Sequence, residues 1–339
     1  LFERLITNPL TLKRWRRFKS VKRSVFASWL FIFLLILSLT AEFWANDKPI
    51  LMSYNGSYYL PIFRKYHPSL FNQEGFITNY RALNWQEEPG NWALWPPIHW
   101  NPFESNTEVT EYPAPPSSQN IFGTDDRGRD VLARLIYGFR YSIVFALMVW
   151  LFSYLMGIVA GAIMGFTGGL TDLLGQRVVE IFESMPMLLI LITLTSIFGA
   201  NLKLLIIFSA LFGWMFISLY MRAEFLKFRK RDFVDAARAM GASRLRLIFI
   251  HILPNALGPV LTFTPFALAG AISTLAALDY LGFGLPPPTP SWGELLNQAQ
   301  KYFTTAWWLA FFPSMALFIT LVSLNLIGEG VRDAFDPRK

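Results

Sequence analysis

The densest run of residues able to do chemistry is Gly123, Thr124, Asp125, Asp126, Arg127, Gly128, Arg129 and Asp130. Two glycines with four residues between them suggest a phosphate cradle. That chemistry needs Lys and then Ser or Thr after the second glycine, and a strand before the first. Arg129 and Asp130 stand there instead and no strand pattern precedes them, so nucleotide binding is rejected. The aspartates also miss the spacing of a calcium loop. Cysteine is absent, which removes disulfides, thiolate metal sites and thiol nucleophiles. His67, His99 and His251 are scattered, so no metal site is expected. The chain thus offers no catalytic residue, no metal centre and no cofactor of its own.

Composition sets the elements that must carry any function. Of 339 residues 53% are hydrophobic and 16% charged. That balance describes a multispanning membrane protein. The expected class is all-α, with six spans at 25–44, 141–166, 178–199, 204–221, 253–278 and 302–328. The first run is long enough to span and lacks a small-residue cleavage site, so no cleavable signal is expected. The net charge of +7 could suggest nucleic acid. The basic residues cluster beside apolar spans, however, so topology explains them and no nucleic acid is expected. Residues 1–24 form a basic tail with Arg4, Lys13, Arg14, Arg16, Arg17, Lys19, Lys22 and Arg23 against Glu3. The loop at 222–252 is equally basic, and the tail at 329–339 carries Arg332, Arg338 and Lys339. Both ends and that loop are therefore expected in the cytoplasm, beside membrane lipids.

Residues 45–140 form a long outer insert followed by an amphipathic segment before the second span. Trp85, Trp92, Trp95 and Trp100 are interleaved with Pro89, Pro96, Pro97 and Pro102, which forbid a long helix. Alternation around Asn55-Gly56 predicts a small hairpin. The tryptophans fit one mini-core, with a partner surface as the alternative. Asp130, Val131, Leu132, Arg134, Leu135 and Ile136 suit a helix lying along the outer face. In the second span Gly157, Gly161 and Gly165 recur every fourth residue. They leave a smooth face for another helix, within the chain or on a partner. Pro186 should kink the third span. Pro254, Pro259 and Pro265 should bend the fifth, and Pro313 lies inside the sixth. The outer loop at 279–301 is too rich in proline to span and too apolar to be free. Phe263, Phe266 and Trp214 are candidates to line a pathway, with lipid-facing aromatics as the alternative.

The most telling stretch is 222–254. Alanine favours helix, so 233–240 reads as a short helix ended by Gly241. Ala236, Ala237 and Ala239 are small enough to let it enter a groove on another protein, with Phe233, Val234 and Met240 as apolar footing. A basic amphipathic helix on lipid headgroups is the alternative. Asp235-Ala236-Ala237, Gly241 and then Leu253-Pro254 resemble the cytoplasmic coupling loop of ABC importer permeases. Asp235 stands for the usual Glu and His251 for the usual Ile. The run from 122 to 140 with Gly123, Thr124, Asp125, Gly128, Arg129 and Asp130 resembles a signature of the oligopeptide/dipeptide branch. So does the outer motif with Gly282, Gly284, Pro290, Ser291, Trp292 and Gly293, and so does the tail at 328–338.

This resemblance, to the second permease subunit of that family, implies a type I ABC importer fold with a cytoplasmic coupling helix. It implies a heterodimer with a homologous permease. It also implies an ATPase of two domains, one fused chain or two, which binds ATP and magnesium, and a periplasmic peptide-binding protein. The insert beginning at 41 looks like that of Yej-type peptide permeases, which implies import of peptides, including peptide antibiotics such as microcin C, across the bacterial inner membrane. Permeation of nickel or glutathione is the alternative. A proton-coupled secondary transporter is less consistent, because the central stretches of the six spans lack Asp, Glu and His. In the mechanism so implied, ATPase closure moves the short helix as a lever and the bent third and fifth spans pass the motion on.

Overall fold

The computed structural model describes residues 8–86 and 90–336. Glu3, Arg4, Pro89, Arg338 and Lys339, named above, lie outside the described residues. In chain order the elements are α1 (Pro9–Ser20), α2 (Lys22–Leu39), α3 (Ala41–Trp44), β1 (Leu51–Tyr54), β2 (Ser57–Tyr59), β3 (Trp92–Leu94), α4 (Val131–Thr167), α5 (Gly169–Glu183) and α6 (Met187–Phe198). There follow α7 (Leu202–Gly213), α8 (Met215–Phe228), α9 (Asp232–Ala239), α10 (Arg244–Arg246), α11 (Leu253–Ala256), α12 (Gly258–Tyr280), α13 (Trp292–Lys301) and α14 (Trp307–Phe335). A π-helical turn, Leu247–Ile252, precedes α11. Among the described residues α2, α4, α7 running into α8, α12 and α14 are long and apolar enough to cross a membrane. The pair α5 and α6 makes a sixth candidate span, bent by 73°, and Pro186 stands at the start of α6.

Several boundaries differ from the sequence reading. The segment at 131–140 is the first three turns of α4, not a separate helix. No proline interrupts it, and Asp130 caps it by accepting the Ala133 N–H at 2.7 Å. Its faces are covered as well, since Val131, Arg134, Leu135 and Ile136 are all buried. Helix α8 runs on through 222–228 and α14 through 329–335, because neither stretch holds a proline. Only Pro265 is interior to a helix in the fifth span. Pro254 and Pro259 occupy first turns, where no N–H is needed and the ring costs little.

The chain divides into two compact units. One comprises Leu1–Phe31, Ser142–Pro286 and Phe318–Lys339. Its core joins Tyr154 and Ala162 of α4, Ile217, Met221 and Phe225 of α8, Val234 and Ala237 of α9, and Leu247, Ile252 and Ala256 beyond. The three glycines of α4 face α8. A methyl group at Gly157 would stand 2.5 Å from the Trp214 carbonyl oxygen, at Gly161 2.7 Å from Met221 Cβ, and at Gly165 2.5 Å from the Arg222 carbonyl oxygen. The glycine face therefore closes within this chain. The stretch read as a basic tail also contains structure. Helix α1 rests on the end of α14: Arg17 donates to the Asp336 carbonyl at 2.7 Å, and the Arg14 guanidinium lies 4.2 Å from the Phe335 ring centre. Ser24 of α2 donates to the Leu326 carbonyl at 2.7 Å.

The other unit comprises Ile32–Tyr141 and Pro287–Leu317. Strands β1 and β2 form an antiparallel hairpin around Asn55 and Gly56, both at positive φ (49° and 72°), as a tight primed turn requires. Strand β3 pairs antiparallel with the other edge of β1. Met52, Tyr54, Phe71, Tyr80 and Leu83 fill the space beneath, with Trp85 and Trp95 packed at its margin. Trp100 belongs to a second cluster with Ala41, Ala45, Ile98, Ala133 and Tyr137, and Trp92 is exposed. The tryptophans thus do not share one mini-core.

Replacing Gly161 by Leu should be severely destabilising, because branched carbons would have to enter backbone already in contact. Overpacking costs about 1–3 kcal/mol or more. The check is the unfolding midpoint of the purified protein, where a wild-type value would show that α4 and α8 can part without cost.

Candidate functional site

Helix α9 has two faces. Val234 and Ala237, one turn apart, are buried against Phe225, Leu247 and Ile252. Phe233, Asp235, Ala236, Ala239 and Met240 are exposed, Met240 by 82%. The alanines therefore have different surroundings: Ala237 fits the chain's own core, and Ala236 is the small residue left on the surface. Of the expected apolar footing, Val234 faces inward, while Phe233 and Met240 face out. Asp235 accepts from Arg238 at 2.8 Å, with both side chains more than half exposed, an arrangement worth at most about 0.5 kcal/mol. Asp232 and Asp235 also suit the positive end of the helix dipole.

The exit of α9 is a Schellman turn. Gly241 donates to the Arg238 carbonyl at 3.0 Å, and Ala242 donates to the Ala237 carbonyl at 3.1 Å. Gly241 has φ +83° and open space where a Cβ would stand, so glycine is needed there for conformation, not for room. Leu253 and Pro254 begin α11 directly after the π-helical turn, and such turns recur at functional positions. The entry to α9 is fixed on the other side. Arg222 makes a bidentate pair with Asp172 of α5, at 2.5 and 2.8 Å. Arg229 donates to the Phe166 carbonyl at 3.2 Å, and its guanidinium fills the place a side chain on Gly168 would take.

The motif at 123–130 builds a closed ion cluster. Asp125 Oδ1 accepts the backbone N–H groups of Arg127 and Arg129, each at 2.9 Å. Its Oδ2 accepts Arg129 Nε at 2.6 Å and lies 3.4 Å from Arg134 Nε. Glu294 of α13 completes the set, accepting Arg129 Nη2 at 3.0 Å and Arg134 Nη2 through its other oxygen. Two arginines thus face two carboxylates, and both arginines are at most 2% exposed. Arg134 also donates to the Pro102, Pro288 and Thr289 carbonyls at 3.0, 3.2 and 3.2 Å. Asp130 accepts Asn120 Nδ2 at 2.8 Å, and burial raises its carboxyl above the usual carboxylate range.

Small residues let this cluster close. A Cβ on Gly123 would stand 2.7 Å from Trp308 Nε1, and one on Gly128 would enter the Tyr112 ring. The Thr124 carbonyl accepts Trp308 Nε1 at 3.0 Å. Ser291 caps α13 by accepting the Glu294 N–H at 3.3 Å, and Trp292 Nε1 donates to the Leu135 carbonyl at 3.0 Å. Pro290 and Gly293 are buried beside them. Gly282 and Gly284 take no part; they turn the chain around Asp279, whose Oδ1 accepts the Leu285 N–H at 2.6 Å. Among the described residues no group of His, Asp or Glu is placed to hold a metal ion.

Residues 157–339 match the family described as the inner membrane component of binding-protein-dependent transport systems. The chain belongs to that family. It is 43% identical over 337 residues to the inner membrane ABC transporter permease protein YejE of Escherichia coli K12, covering 98% of each chain. It is 42% identical over 362 residues to the peptidoglycan transport system permease protein YejE of Agrobacterium fabrum, covering 98% and 94%. The oligopeptide transport system permease protein OppC of Bacillus subtilis is 36% identical over 234 residues, 69% of this chain and 77% of that one. Among solved structures, the inward-facing MetNI methionine ABC transporter covers 59% of this chain and 97% of its own, at 17% identity and a TM-score of 0.46.

In this inner-membrane component the residue that sequence reasoning missed is Glu294, which neutralises two arginines more than 150 positions away. The signal was present as a capping box, Ser291-x-x-Glu294. Glu294→Gln should cost about 3–5 kcal/mol, because it leaves buried cationic charge uncompensated. Ser291→Ala, which removes the cap but no charge, should cost about 1 kcal/mol. Thermal unfolding of the two variants side by side tests that order. Asp126 gives a pH prediction. Burial, then the neighbouring Asp125 charge, raises its carboxyl, and Oδ1 is buried without a hydrogen bond. The folded state therefore holds this proton more tightly than the unfolded state. Stability is lost as pH rises from the ordinary carboxylate pKa through the raised one. Asp126→Asn should raise the unfolding midpoint at pH 7 and change it little at pH 3.5; an equal shift at both would remove this assignment.

Proposed function

We propose that this chain is one of two homologous membrane subunits of an ATP-driven peptide importer, and that separate subunits, which bind ATP and magnesium, act on α9. In this reading α9 and both chain ends face the cytoplasm, and a binding protein delivers cargo from outside. The observation that carries it is the two-faced geometry of α9. Val234 and Ala237 fasten the helix to α8 and the segment after it, while Phe233, Ala236 and Met240 stay exposed for a partner. A push on that face reaches α8 through Phe225, and α4 through the glycine seam. The ties of Arg222 to Asp172 and of Arg229 to the Phe166 carbonyl keep α8 from yielding locally.

The cargo class follows from the relatives. One is named for oligopeptide transport and one for peptidoglycan transport, and the chemistry shared by those cargos is the peptide. Peptides, free or attached to a cell-wall fragment, are therefore the proposed substrate, and peptide antibiotics such as microcin C fall within that class.

The faces of α9 are separable by mutation. Ala236→Trp should leave folding intact and reduce co-purification of the ATPase at least tenfold. Ala237→Trp should prevent the chain from accumulating, since that side chain is 2% exposed. Pull-down from membranes with quantified expression measures both. Full ATPase recovery with Ala236→Trp would remove α9 as the docking element.

A further inference from the structure

Helices α4, α6, α7, α8 and α12 line a cavity of about 340 Å³ that the coupling role does not use. Six aromatic rings line it, those of Phe145, Trp150, Tyr154, Phe216, Phe263 and Phe266, and no charged side chain does. Trp214, the third candidate with Phe263 and Phe266, is not in the wall. The rings are held in place. Trp150 Nε1 donates to Thr264 Oγ1 at 3.0 Å, and the Phe216 and Phe263 rings meet edge-on with centres 5.2 Å apart.

Two hydroxyls of the wall are already engaged. Ser153 donates to the Ala210 carbonyl and Thr274 to the Gly270 carbonyl, at 3.4 and 3.0 Å. The Tyr154 and Ser209 hydroxyls are buried and have no hydrogen-bond partner. Gly270, also in the wall, has no atom within 4 Å of the place a Cβ would occupy. The volume lies at the small end for ligand pockets, so it suits one side chain and not a whole oligopeptide.

We infer that this cavity receives one apolar side chain of the passing peptide, aromatic or branched aliphatic, and so grades cargo within this chain. The inference rests on the peptide-import reading above. Charged side chains find no opposite charge there to offset their lost hydration.

Gly270→Leu tests it, because it adds bulk at the cavity wall where a Cβ meets no atom within 4 Å. The complete transporter, with its ATPase and binding protein, is reconstituted in proteoliposomes with labelled Ala-Xaa-Ala peptides, where Xaa is Ala, Leu, Phe, Lys or Glu. Gly270→Leu should lower import of the Leu and Phe peptides about tenfold relative to the Ala peptide, the factor that burying one such side chain supplies. The Lys and Glu peptides should keep their ratio to Ala. An unchanged unfolding midpoint shows that the fold is retained. Equal loss for all five peptides, or no loss, overturns the pocket while peptide import stands. A wild-type transporter that imports none of the five overturns the import reading and the pocket with it. Bound phospholipid lost on Gly270→Leu, with import ratios unchanged, makes this a lipid site and overturns the proposal.

Discussion

Close approach of two backbones, α4 against α8, is the contact on which the rest of the first unit depends. Inside a bilayer, apolar surface gains nothing by leaving lipid for protein, so helices adhere by dispersion and by the short range at which they meet. Gly157, Gly161 and Gly165 supply that range over two turns of α4. Everything further along is hung from α8: Phe225 holds Val234 and Ala237, and these hold α9. A seam of this kind is stiff because hard atoms are already touching. Under the proposed coupling role, such stiffness would pass displacement on without absorbing it.

The second unit meets a different demand. Arg129 and Arg134 are among the most deeply buried large side chains, and such charges are tolerable only when paired and hydrogen-bonded. Asp125 and Glu294 balance them, and carbonyls from 102, 288 and 289 take remaining donors of Arg134. Residues far apart in sequence are thus required to meet at one point. The cluster is buried and its two cations are balanced by two carboxylates, although Arg129 Nη1 has no hydrogen-bond partner, so it acts as a fastening for the motif.

Local chemistry was legible in the sequence wherever it was self-contained. Asn55-Gly56 announces its hairpin, Gly241 its helix end, and the glycine spacing of α4 a close seam. Which helix would meet that seam was not legible, since a smooth face carries no address. The same holds for α9: Ala236 and Ala237 are identical in type, and only the position of Phe225 decides which of them is inside. Arg134 looked like a surface residue because three of its partners, Pro288, Thr289 and Glu294, lie more than 150 positions later, beyond α12. The prolines misled for a related reason. Pro254 and Pro259 break a helix only if the helix has already begun, and each here stands in a first turn.

The docking of α1 on α14 bears on how the chain is made. The hydrogen bond from Arg17 to the Asp336 carbonyl joins positions 319 residues apart. At roughly 5–20 residues per second, α1 leaves the ribosome about a quarter of a minute to a minute before its seat does. Throughout that interval Trp15 and Phe18 have no α14 to lie against, and the natural shelter for such a basic, amphipathic segment is the lipid headgroup layer. Its seat on α14 can therefore form only after the last span has been made.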